Sequence, residues 1–126
     1  MDRSLSSLRI LVVEDEMLIL IMIEDMLADH GCKNVTVAAT IDMALALIDA
    51  QTFDIAMLDM NVNGNKTYSV ADALGARGVP FVFSTGYSGQ EMRDGYRDRP
   101  VLRKPFGERE LIDTLTGLLE HSDARQ

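Results

Sequence analysis

Phe53-Asp54-Ile55-Ala56-Met57-Leu58-Asp59, followed at once by Met60-Asn61-Val62-Asn63-Gly64, is the stretch whose reading decides the fold. The near-continuous apolar run Phe53 to Leu58 suits a strand covered on both faces, as in a parallel sheet. Asp59 closes the run and Asn61-Val62-Asn63-Gly64 turns the chain straight after it. The same grammar recurs along the chain. Ile10-Leu11-Val12-Val13 ends in Glu14-Asp15-Glu16, Phe81-Val82-Phe83-Ser84 ends in Thr85, and Val101-Leu102-Arg103 ends in Lys104. In a parallel sheet all strand C-termini lie along one edge, where ligands bind. That edge would gather carboxylates, a hydroxyl and an amine, a set able to hold Mg²⁺ and a phosphoryl group.

Between these runs the spacing turns helical. Helices are expected over Met17–His30, stopped by Gly31, over Ile41–Ala50 with Thr40 as cap, over about Ser69–Gly75, and over Glu108–His121. Strands are expected at Leu8–Val13, Val35–Ala38, Phe53–Leu58, Phe81–Ser84 and Val101–Arg103. Met1 to Ser7 is polar and expected to be loose. Tyr87–Pro100 has little apolar periodicity and carries Gly89 and Gly95, so a fourth helix there would be short or mobile. The alternation predicts an α/β protein with a doubly wound, five-stranded parallel sheet of (βα)5 type, since right-handed crossovers place helices on both faces.

Composition narrows the function classes. The chain of 126 residues is one domain by size, residues 1–126, with a net charge of −8 and a single cysteine. The acidity argues against nucleic-acid binding through a basic patch. Cys32 has no intramolecular disulfide partner and reads as a small semi-buried apolar residue. The Leu18–Ile23 run is too short to span a bilayer and meets Glu24 and Asp25. No membrane segment and a cytoplasmic location are therefore expected.

Four segments, Val12-Val13-Glu14-Asp15-Glu16, Leu58-Asp59-Met60-Asn61, Ser84-Thr85-Gly86 and Lys104-Pro105-Phe106, together resemble the receiver domain of response regulators, with a flavodoxin-like fold. The resemblance implies that Asp59 is the phosphoacceptor. It implies Mg²⁺ held by Glu14, Asp15, Asp59 and the Asn61 carbonyl, with Thr85 and Lys104 on the phosphoryl oxygens. Pro80-Phe81-Val82-Phe83-Ser84-Thr85-Gly86-Tyr87 further resembles the FATGUY subfamily, with Ser84 for the usual Ala. The aromatic switch residue that most receivers carry three positions before the Lys is here Val101, which leaves Tyr87 as the nearest aromatic able to report phosphorylation.

The family also implies partners: a sensor histidine kinase, of HWE or related type, and a histidine phosphotransfer protein, with this chain a monomer without an output domain. On the first expected helix, Ile19, Met22, Ile23, Met26 and Leu27 are read as the core stripe. Met17, Leu20 and Ile21 are read as an exposed kinase-docking patch, extended by Pro105 and Phe106. The competing reading of that patch is burial against the last helix.

Plainer readings stand beside these. Acids at Glu14–Glu16 favour a helix N-terminus without any ligand. A haloacid-dehalogenase-like phosphatase also uses an Asp nucleophile, Thr or Ser, Lys and Mg²⁺. It places the nucleophile first, however, and has a second Asp where this chain has Asn61. A flavodoxin-like cofactor binder would need a Ser/Thr/Gly-rich loop after the first strand, where Glu14-Asp15-Glu16 would repel phosphate.

Overall fold

A computed structural model describes residues 4–86 and 101–124. The elements are β1 (Arg9–Val13), α1 (Met17–Asp29), β2 (Asn34–Ala38), α2 (Ile41–Ala50), β3 (Ile55–Asp59), β4 (Asn61–Val62), β5 (Asn65–Lys66), α3 (Tyr68–Ala76), β6 (Phe81–Thr85), β7 (Val101–Arg103) and α4 (Glu108–Ala124). Five strands form one parallel sheet in the order β2-β1-β3-β6-β7. The order reverses at β1 and β3, which is the switch point where such sheets bind ligands. The expected short helix, and with it Tyr87, falls outside the described residues.

Alternation along each strand divides the core in two. Ile10, Val12, Ile55, Met57, Val82 and Leu102 face α1 and α4, which contribute Ile23, Leu27, Leu111 and Leu115. Leu11, Val13, Ala56, Leu58, Phe81 and Phe83 face α2 and α3, met by Ala44, Ile48, Val70 and Leu74. The two phenylalanines pack edge to face, centroids 5.5 Å apart. Both sheet faces are thus covered, which is why the strands read as apolar runs rather than alternating ones.

Local chemistry sets the ends. The Thr40 hydroxyl accepts from the Met43 amide at 3.0 Å and starts α2 as expected. Glu16 occupies the cap position of α1, but its side chain makes no capping bond. The start of the chain departs from expectation. Leu5–Ser7 is a 3-10 turn with Leu5 and Leu8 buried. Leu5, set among serines in the sequence, joins Leu8 in the core beside the buried Cys32, so at least residues 4–7 are not loose.

Helix α1 corrects the reading of its faces. Leu20, Ile23 and Leu27 are buried, Ile19 and Met26 pack against them in part, and Met22 is half-buried. Met17, Leu18 and Ile21 are the exposed apolar residues. Leu20 is 5% exposed and sits in the core, as does Phe106. Neither belongs to an exposed docking patch, whereas Met17, Ile21 and Pro105 are exposed. The apolar run Met17–Ile23 is unbroken, so its periodicity alone could not phase the helix.

Candidate functional site

The site stands on three parallel strand ends. Register pairs Val13 with Leu58 and Asp59 with Ser84, so Glu14, Asp59 and Ser84 lie in one row across β1, β3 and β6. All are buried, with Glu14 1%, Asp59 6% and Ser84 1% exposed. The Lys104 backbone N–H donates to the Thr85 carbonyl at 2.9 Å, which extends β7 far enough to bring the side chain over that row. Its ammonium lies 3.1 Å from Asp59 Oδ2, 3.0 Å from Glu14 Oε1 and 3.9 Å from Glu16 Oε1. The Asp59 contact is a directed hydrogen bond. The Glu14 contact is ionic only and leaves Oε1 without a hydrogen-bond donor.

Glu14, Asp15 and Asp59 each offer a carboxylate oxygen within 4.8 Å of the others. Crowded acids raise one another's affinity for a proton until a cation enters. Burial first, and then the neighbouring Asp59 carboxylate, push Glu14 up to about 7 against the opposing pull of Lys104. For Lys104 burial works against the charge, but Glu14 and Asp59 more than offset it and hold the ammonium above its ordinary value. Three convergent carboxylates, two of them buried, are the donor set a hard divalent cation takes. The residues present therefore fit Mg²⁺, which Glu14, Asp15 and Asp59 would hold.

Beyond Asp59 the chain makes a small hairpin that the sequence showed only as a turn. Asn61 pairs with Lys66 and Val62 with Asn65. Asn63 and Gly64 both have positive φ, +53° and +81°, the backbone of a type I′ turn, which Asn-Gly favours. The hairpin is tied to the acids. Asp15 Oδ2 accepts from the Asn63 amide at 3.0 Å, and Asp59 Oδ1 accepts from the Asn61 amide at 3.2 Å. Thr67, fully buried, donates its hydroxyl to the Asp59 carbonyl at 2.7 Å. Thr67 and Asn63 were missed at the level of sequence: their ties run between backbone and side chain across loops, which no spacing rule reports.

A cleft of about 670 Å³ opens over this edge. Asp59, Thr85 and Lys104 line it from the strand ends, Asn61 and Lys66 from the hairpin, and Glu16 from the start of α1. Thr85 is 2% exposed, so only a small part of it meets the cleft. The strand ends thus set Glu14, Asp15, Glu16, Asp59, Thr85 and Lys104 along one edge, and the hairpin adds Lys66.

Ser84 Oγ is buried without a hydrogen-bond partner. A buried hydroxyl left unpaired costs stability, so Ser84→Ala is expected to raise the unfolding free energy by about 1 kcal/mol. Urea unfolding measures this; a loss of similar size would mean that the hydroxyl has found a partner.

A doubly wound sheet with converging acids, a hydroxyl and a largely buried lysine at its switch point defines an α/β module with an acidic site at its strand ends. The chain belongs to the response regulator receiver domain family, which matches residues 10–116. It is similar to SdrG from Sphingomonas melonis Fr1, with 44% identity over 88% of this chain and 95% of that one, TM-score 0.78. It is also similar to SdrG from Pseudomonas melonis Fr1 in its BeF3-activated conformation, at 41% identity over 94% and 99%, TM-score 0.78. A CheY-like receiver protein from Methanospirillum hungatei JF-1 matches at 25% identity over 94% and 98%, TM-score 0.80. A search of curated proteins found no match. No helix among the described residues is long and apolar enough to cross a membrane.

Proposed function

We propose that this chain is a single-domain response regulator of the FATGUY type, which takes a phosphoryl group onto Asp59 from a sensor histidine kinase, directly or through a histidine phosphotransfer protein, and passes the signal on by protein contact. The observation that carries the reading is the placement of Asp59: a buried carboxylate held between the Lys104 ammonium and two further acids, at the mouth of an open cleft. The likeness to SdrG, solved in a BeF3-activated conformation, supports it.

The chemistry follows from charge. A carboxylate attacking a phosphoryl dianion meets repulsion, which fixed cations must relieve. Bound by Glu14, Asp15, Asp59 and the Asn61 carbonyl, Mg²⁺ would supply charge neutralisation and orient phosphoryl oxygens. Lys104 is within reach of Asp59 and would pair with one transferring oxygen; Thr85 would donate to another. One Asp59 oxygen forms the new P–O bond as the P–N bond to the donor imidazole breaks, and the imidazole leaves with that electron pair. The Asn61 amide on Oδ1 and Thr67 on the Asp59 carbonyl hold the attacking residue in place meanwhile. Val101, half-buried, offers no aromatic ring to follow Thr85, so the signal must travel by another route than a Thr/Tyr rotamer pair.

The test is incubation with Mg²⁺ and acetyl phosphate followed by intact mass. The chain should gain one labile phosphoryl group, and Asp59→Asn should gain none. A phosphoryl group of equal lability on Asp59→Asn would overturn the reading.

A further inference from the structure

Glu14 Oε1 and Ser84 Oγ are the buried side-chain polar atoms that lack a hydrogen-bond partner among the described residues. The first still receives the charge of Lys104, 3.0 Å away. The second has no such compensation, although Ser84 is only 1% exposed. A buried hydroxyl left unpaired costs stability, so it points to a partner that another state of the molecule supplies.

The topology says which partner that is. Residues two apart on a strand share a face. Val12, Met57, Val82 and Leu102 belong to the α1 and α4 side of the core. Glu14, Asp59, Ser84 and Lys104, each two residues further on, therefore project from that same side. Lys104 directly follows β7, whereas its ammonium meets Asp59 at the end of β3. Strand β6 lies between those two strands. The lysine side chain thus crosses β6, and register places Ser84 beside Asp59 at the crossing. A small residue leaves that path open and sets a hydroxyl alongside it.

In this structure Lys104 serves the Asp59 and Glu14 carboxylates. Both would turn to Mg²⁺ for phosphoryl transfer, and the ammonium would move to a phosphoryl oxygen. Its three N–H donors then need acceptors other than those carboxylates. We infer that Ser84 is a positioning residue whose hydroxyl accepts an N–H of the Lys104 ammonium once that ammonium engages the phosphoryl group. The inference rests on the reading that Asp59 accepts a phosphoryl group. The hydroxyl is unpaired before loading and paired after it, so it favours the loaded state over the free one.

The experiment uses the full chain, Mg²⁺ and beryllofluoride, a phosphoryl mimic, with Ser84→Ala as the variant. Removing one oxygen should leave the fold intact. Without beryllofluoride the variant should melt higher than the parent, by about 4 °C. Calorimetric titration at saturating Mg²⁺ should show beryllofluoride bound about ten-fold more weakly, the loss of one hydrogen bond to a charged group. A purely structural role would not make one substitution stabilise the free chain and weaken the loaded one. In the loaded chain, the Lys104 ammonium protons should exchange with solvent faster in Ser84→Ala than in the parent, as read by NMR. Unchanged beryllofluoride affinity, unchanged exchange, or a free variant that melts lower than the parent overturns the inference and leaves the Asp59 reading intact. A parent chain that neither binds beryllofluoride nor gains a phosphoryl group from acetyl phosphate overturns both.

Discussion

Leu20→Ala is expected to cost about 3 kcal/mol of folding stability, whereas Ile21→Ala, one residue on, should cost less than about 0.5 kcal/mol. Leu20 is buried among Ile23, Leu27, Phe106 and Leu111, on the sheet face that α1 and α4 share. Truncation there removes apolar burial and leaves a cavity that neighbouring side chains only partly fill. Ile21 is 46% exposed and loses little. Urea unfolding of both variants decides the matter. The consequence for signalling is also separable. Ile21→Ser should slow phosphotransfer from a kinase while leaving acetyl phosphate labelling intact, if the exposed Met17 and Ile21 face is a docking surface. Leu20→Ser should weaken both routes together through lost folding. Equal stability of the two alanine variants would show that α1 packs in another phase.

Lys104→Met is expected to lower stability by about 3 kcal/mol at pH 8 in the absence of metal, and by clearly less at pH 5.5. The substitution leaves Glu14 and Asp59 buried side by side without their cation. Even with Lys104 present, the Glu14 carboxyl titrates at about 7, against an ordinary 4.5. A carboxyl raised on folding binds its proton more tightly in the folded state. Its contribution is therefore fully present below about 4.5 and is lost as pH rises through 7. Removing Lys104 strengthens that trend, because the group that opposes it is gone. Mg²⁺ should restore part of the loss at pH 8 by replacing one cation with another. Thermal melts of parent and variant at the two pH values, with and without Mg²⁺, measure the difference. A deficit independent of pH would mean that the lysine stem, through packing alone, carries the effect.

Much of this was legible in the residues themselves. Apolar runs ending in Glu14-Asp15, Asp59, Thr85 and Lys104 announce both the parallel sheet and the edge that holds the site, because strand ends of a parallel sheet cannot lie anywhere else. Thr40 starts α2 by a bond to its own helix, a local event that local sequence predicts. Asn63-Gly64 likewise encodes its turn through backbone conformations few other residues adopt.

Tertiary packing decided the rest. The unbroken run Met17–Ile23 has no polar residue to mark its outer side, so only contact with α4 and the sheet shows that Leu20 faces inward. Leu5 becomes a core residue because the folded chain packs it against that core, not because its neighbours are apolar. Thr67 finds the Asp59 carbonyl, and Asn63 the Asp15 carboxylate across 48 positions, only once the hairpin folds back over the strand ends. Lys66 reaches the cleft for the same reason: pairing with Asn61 sets its face, and burial of Val62 sets the register. Spacing along the chain determined the sheet and the residues at its edge, because strand and helix periods are local. Which side of α1 is buried and what surrounds Asp59 depend on contacts between distant segments, and those are absent until the chain is folded.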